Sequence, residues 1–315
     1  MRPATLFYIA LLALAVLAPV LGLYPVFVMK LLCFAIFACA FNLLLGYTGL
    51  LSFGHAAYFG AAAYTTGYLV KTMHWTPEVA ILGGMAFAAV SGLVVGAMAI
   101  RRQGIYFAMI TLALAQLLYF LCLQLKLTGG EDGLQGVPRG NLFGVLSLAS
   151  DTTMYYFVLA LFVAVFLLIR RIVHSPFGQI LKAIRENEPR AISLGYDVER
   201  YKLLAFVLST SLAGLAGSLK TLVFGFATLS DVHWSMSGEV ILMTLLGGVG
   251  TFFGPVLGAG IVVALQDNLA DKVGSWVSVI IGAIFVVCVM AFRRGLVGEA
   301  LAFFSKTRKP HNLLP

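Results

Sequence analysis

The sequence predicts an all-α fold, a polytopic bundle of membrane-spanning helices with about ten crossings, some of them broken at glycine-rich segments. Three observations predict it. Hydrophobic residues make up 61% of the 315 and charged residues only 11%, with a mean hydropathy of +0.98, a balance that a soluble core does not absorb. Apolar runs of about 20 residues, enough to cross the hydrocarbon at roughly 1.5 Å per residue, recur along the chain. Most of the basic residues behind the net charge of +8 sit in short polar stretches beside those runs, where they orient the chain in the bilayer. Nucleic acid is set aside as a partner, and membrane lipid takes its place. Cys33, Cys39, Cys122 and Cys288 all fall inside apolar runs without metal-ligand spacing, as core thiols do.

In chain order, Arg2 precedes an apolar run over residues 6–23 that begins like a signal peptide. The run is long for that role and another follows at once, so it is read as a retained first span. Span two covers residues 25–45, with Lys30 able to snorkel to the outer interface. Small and hydroxyl-bearing residues then interrupt the lipid-like pattern over residues 42–64. Gly46, Gly49 and Gly54 allow a tight turn or a broken helix, and non-helical backbone survives at membrane depth only inside protein or facing a water-filled cavity. Asn42, Ser52, Gly54 and His55 are therefore candidates for a translocation pathway. Close helix packing through Gly54, Ala57 and Gly60 is the competing explanation. His55 is the only histidine in an apolar span, and is either a functional group or a satisfied packing residue.

Span three continues to Val70, span four covers residues 79–100 and stops at Arg101 and Arg102, and span five covers 105–125. The glycine-rich loop over residues 128–140 lacks the Gly-Lys-Ser/Thr ending of a phosphate cradle, as does the rest of the chain. Span six runs over residues 154–169 and span seven over 203–226. In span seven, Ser209, Ser211, Gly214 and Gly217 suit close packing, and Lys220 lies in the outer part. Gly247, Gly248, Gly250, Gly254 and Pro255 break a further apolar segment whose edge is Glu239. Glu239, Gly247 and Gly248 join the pathway candidates. A last span over residues 276–292 stops at Arg293 and Arg294.

Between spans six and seven lies a polar stretch, residues 170–202, with seven basic and four acidic side chains. Ser175 is an N-cap with Pro176 at the first helical position, and Ile180, Leu181 and Ile184 make an apolar face at helical spacing. Pro189 ends this helix or starts a second, and Gly195 is a natural left-handed stop. The product is a helix-turn-helix knob. A plain connector needs neither caps nor an apolar face.

Charge tests the parse. With the amino terminus, the turn at Arg101, residues 170–202 and the tail on one side, that side holds fifteen Lys and Arg, and the opposite loops hold only Lys71, Lys126, Arg139 and Lys272. The positive-inside rule then puts both termini in the cytoplasm and requires residues 239–294 to cross an odd number of times. A short span to Gly248, a turn, a second span over residues 255–265 and the last span meet that requirement. An internal echo supports the scheme, since the sequence from Leu44 to Gly54 resembles that from Leu245 to Gly254 with one residue skipped. Broken segments in corresponding positions point to a transport site.

With these stretches in place, the chain resembles the LivM-type permease of bacterial branched-chain amino-acid ABC importers over nearly its full length. The resemblance is carried by residues 42–60, Ser175-Pro-Phe-Gly, Ala183-Ile-Arg-Glu-Asn-Glu, Leu194-Gly195, Glu239 and Gly247-Gly-Val-Gly-Thr-Phe-Phe-Gly-Pro. It implies a single permease domain over residues 1–315 in the bacterial inner membrane, with residues 170–202 as an EAA-like loop coupled to an ATPase through Arg185, Glu186, Asn187, Glu188 and Gly195. The literal Glu-Ala-Ala is absent, because Pro189 and Arg190 follow Glu188. It also implies a LivH-type permease as heterodimer partner, two ATP-binding subunits that hold the ATP, a periplasmic substrate-binding protein, and no cofactor or catalytic role for this chain. The substrates implied are leucine, isoleucine and valine, with urea or short-chain amides as the alternative. An ion-coupled secondary transporter is a rival reading, but it needs an ionisable group in mid-membrane and only His55 comes near. A membrane enzyme lacks its paired carboxylates, spaced histidines or nucleophile motif.

Overall fold

The computed structural model describes residues 24–144, 146–291 and 295–299, with residues 19 and 22. The first apolar run, residues 6–23, therefore lies outside the described residues apart from those two positions. The fold is helical: α1 (Pro25–Thr48), α2 (His55–Lys71), α3 (Pro77–Ala99), α4 (Ile105–Gln124) and α5 (Asp151–His174), then the short α6 (Pro176–Glu186) and α7 (Glu188–Ser193). α8 (Val198–Phe224), the one-turn α9 (Leu229–Val232), α10 (Trp234–Gly247), α11 (Gly254–Val273) and α12 (Val277–Ala291) follow. Five of these, α1, α3, α4, α5 and α8, are long and apolar enough to cross a membrane. At 17 and 14 residues, α2 and α10 are shorter than the roughly 20 of a straight crossing. The three helices expected between residues 239 and 294 are present, the second running on to Val273 rather than stopping at Leu265.

The bundle is organised around α1. A helix that is apolar on every side is buried on every side, and α1 is enclosed from Leu32 to Leu44. α5, α8, α10 and α11 surround it, and Phe59 of α2 stacks on its Phe34 and Phe37. α8 packs tightly against α2 and α3, as its small residues predict: a Cβ on Gly217 would lie 1.9 Å from the Phe59 carbonyl oxygen, and one on Gly214 would lie 2.4 Å from the Cβ of Ala88. α3, α4 and α5 are the outer helices, and their exposed Leu82, Val94, Met109, Leu117 and Leu167 suit a lipid surround. Cys33, Cys39 and Cys122 are buried free thiols, while the side chain of Cys288 lies outside the described residues.

Three polar features have partners that the sequence did not reveal. Lys30 pairs with Asp267 of α11, Nζ to Oδ1 at 2.5 Å, because α11 brings a carboxylate within reach. Lys220 is buried against Asp231 at 2.7 Å. The glycine-rich loop is pinned to the end of α8, through paired backbone bonds of 2.9 Å between Leu134 and Ala227 and through Arg139, which reaches both Asp151 and the Val223 carbonyl. A two-residue hairpin, β1 (Asn141–Leu142) against β2 (Leu146–Ser147), completes that loop.

Candidate functional site

The knob forms by local capping. Ser175 Oγ accepts from the Gly178 N–H and starts α6, with Pro176 at its first turn. Asn187, not recognised as a cap from sequence, accepts from the Arg190 N–H at 3.1 Å and starts α7, whose first turn holds Pro189. Gly195 adopts φ +86° and closes the turn, so that the Tyr196 N–H reaches back to the Ala191 carbonyl. Ile184, Ala191 and Val198 form a small core with Ile180 and Tyr201. Glu188 accepts from Lys202 at 2.6 Å, and this pair, with the lysine buried, ties α7 to the start of α8.

Beneath the knob the two glycine breaks meet. α1 continues through Gly46 and ends where Gly49 turns left-handed at φ +79°, and the chain then runs without helix to α2. α10 ends at Gly247, and Gly248 and Gly250, both at positive φ, carry the chain to α11. Asn42 joins the breaks, donating from Nδ2 to the Thr251 carbonyl and accepting from the Gly250 N–H, each at 2.9 Å. The contact needs bare backbone: a Cβ on Gly46 would sit 2.7 Å from the Gly250 nitrogen, and one on Gly247 would sit 1.8 Å from the Gly254 carbonyl oxygen.

From α6, Arg185 reaches into this joint and its Nη1 donates to the Gly46 carbonyl. Lys182 lies over the Tyr47 ring, 5.7 Å from its centroid. A polar cavity of about 470 Å³ lies among Gly46, Tyr47, Lys182, Arg185, Glu186 and Gly250. Glu186 and the body of Asn187 are exposed on the knob surface.

Of the sequence candidates, the structure gathers Asn42, Gly247, Gly248 and Arg185 at this joint and holds Glu186, Asn187, Glu188 and Gly195 in the knob above it. Ser52, Gly54, His55 and Glu239 lie elsewhere. Ser52 is fully buried and its Oγ accepts from the Gly54 N–H, while Gly54 packs on the Thr111 carbonyl. His55 is also fully buried: Nε2 meets Ser209 Oγ at 2.8 Å, Ser209 in turn donates to the Ala40 carbonyl, and Phe41, Tyr58 and Phe206 stand edge-on to the ring. Glu239 accepts from Gln266 of α11 at 3.0 Å, eight residues along α10 from Gly247, or about 12 Å. Sequence reasoning missed the Asn42 clamp to Gly250 and Thr251, although a lone amide one helical turn before Gly46 in an apolar span was its signal. Among the described residues, no group of three or more His, Cys, Asp or Glu is placed to hold a metal ion.

A buried apolar axis, outer helices that expose aliphatic side chains, and a polar knob bonded into breaks in the bundle define a multi-pass membrane permease. Comparison with known proteins places it further: residues 23–289 match the branched-chain amino acid transport system / permease component family, and the chain belongs to that family. It is 30% identical over 295 residues to the high-affinity branched-chain amino acid transport system permease protein LivM of Escherichia coli K12, covering 84% of this chain and 68% of that protein. The probable branched-chain amino acid transport permease protein LivM of Methanocaldococcus jannaschii is 25% identical over 262 residues, covering 71% of this chain and 74% of the relative. The probable LivH permease of the same organism is 27% identical over 134 residues, 41% of this chain and 38% of the relative. No solved structure matches the chain.

Proposed function

We propose that the chain is the LivM-type permease subunit of an ATP-driven importer of branched-chain amino acids in the bacterial inner membrane, acting as one permease domain beside a LivH-type partner. Two ATP-binding subunits hold the nucleotide, a periplasmic binding protein delivers substrate, and this chain itself has neither a cofactor nor a catalytic site. Both termini and the knob face the cytoplasm, as the fifteen-to-four division of basic residues favours.

The observation that carries this reading is the bonding of the knob to the meeting point of both glycine breaks. A self-contained channel has no use for a capped, polar projection wired to its broken helices, whereas a permease moved by a separate ATPase needs one. The knob also presents Ile192, Leu194 and Tyr196, 57%, 67% and 39% exposed. Apolar side chains held in water at the tip of a rigid projection suit insertion into a groove of an ATP-binding subunit. Membership of the branched-chain amino acid permease family supports an aliphatic amino acid over urea or a short amide as substrate.

ATP hydrolysis by the assembled complex tests the proposal. It is expected to rise when binding protein loaded with leucine is added and to stay flat with urea. Stimulation by urea alone would move the substrate class to amides.

A further inference from the structure

We infer that Arg185 is an internal pin that carries movement of the knob into both glycine breaks, rather than a contact with the ATP-binding subunit; this rests on the importer reading. The first ground is the atom it bonds. The Gly46 carbonyl belongs to the last turn of α1, where carbonyls lack an intrahelical partner, and the Leu50 N–H turns back to Leu44 instead. The Arg185 guanidinium supplies the missing donor and sets a cation at the negative end of the helix dipole. The second ground is the room made for it. A Cβ on Gly49 would come within 3.1 Å of Arg185 Cγ, and one on Gly250 within 3.0 Å of Nη1. Glycines from two segments about 200 residues apart thus make room for one face of this side chain, whose other face is exposed.

The third ground is continuity. Asn42 lies one turn before Gly46 on the same face of α1 and holds both the Gly250 N–H and the Thr251 carbonyl. Displacing α6 therefore pulls on the end of α1 through Arg185, and on the α10–α11 break through Asn42. A guanidinium is suited to this, since its planar fork keeps direction when pulled, whereas a lysine ammonium pivots about a flexible stem. The exposed Ile192 and Leu194 leave the ATP-binding subunit a surface that does not use Arg185.

Arg185→Gln and Arg185→Lys in the full complex, reconstituted in proteoliposomes with binding protein, separate a pin from a docking contact. For Arg185→Gln we expect intact recovery of the ATP-binding subunits and continued ATP hydrolysis, with ATP consumed per leucine taken up rising about tenfold, the loss expected of one charge-assisted hydrogen bond. Arg185→Lys is expected to fall between. A second readout follows the joint itself: thiol labelling of Thr251→Cys should change on ATP addition with Arg185 present and stop changing in Arg185→Gln, which a merely structural role would not produce. Loss of the ATP-binding subunits from Arg185→Gln, an unchanged ATP-to-leucine ratio, or unchanged nucleotide-dependent labelling would each overturn the pin. A complex with Arg185 that assembles but carries no leucine counts against the importer reading instead, and the labelling comparison still decides the pin.

Discussion

Lys220→Met tests how the C-terminal end of α8 is held. In the native chain Asp231 Oδ2 receives three donors: Lys220 Nζ at 2.7 Å, the Thr228 N–H at 3.0 Å and Thr228 Oγ1 at 3.1 Å. Both charged residues are buried, and Lys220 also lies 4.5 Å from the centroid of the Phe226 ring. Removing the lysine strands a buried carboxylate, which costs about 3–5 kcal/mol when one partner of a buried pair is lost. The two Thr228 donors remain, so the lower end of that range, about 3 kcal/mol, is expected. Adding Asp231→Asn removes the stranded charge while its side-chain oxygen still accepts from Thr228, and the double variant is expected to lose less than about 1.5 kcal/mol. Thermal unfolding of the purified permease in detergent reads the order: native highest, double variant next, Lys220→Met lowest. A double variant as unstable as Lys220→Met would refute the reasoning, because the damage would then come from lost packing and not from an uncompensated charge.

Two further predictions concern the knob and the orientation. Ile192→Asp with Leu194→Asp is expected to weaken retention of the ATP-binding subunits on purification without altering the unfolding temperature, because both side chains are exposed; unchanged retention would remove the apolar tip from the interface. In a background without the native cysteines, Asp132→Cys and Glu199→Cys are expected to react with an impermeant thiol reagent from opposite sides of the membrane, and labelling of both in intact spheroplasts would invert the assignment.

What could be read from the sequence was what is local. The Ser175 cap of the knob and the stops at Gly49 and Gly195 depend on neighbours a few residues away, whose chemistry the sequence displays directly. The echo between the two glycine segments also pointed to their common position, and the structure brings them into contact. Partners were not readable. Asn42 and Thr251 are 209 residues apart, Arg185 and Gly46 are 139 apart, and Lys30 and Asp267 are 237 apart. Asn42 and Lys30 marked themselves as polar in an apolar setting, but every one of these partners follows from how whole helices pack. Arg185 is the clearest example: its place on a charged knob was readable, but its bond to the Gly46 carbonyl was not. His55 and Ser52 carried the same polar signal, and the fold spends them on bonds to Ser209 and to the Gly54 amide.

Uptake is proposed to be driven by ATP through the knob. The most direct test is leucine uptake into proteoliposomes holding the complete complex with the knob facing the lumen, comparing ATP inside and no ion gradient against a proton or sodium gradient and no ATP. Uptake is expected in the first case and none in the second. Uptake driven by an ion gradient without nucleotide would contradict it.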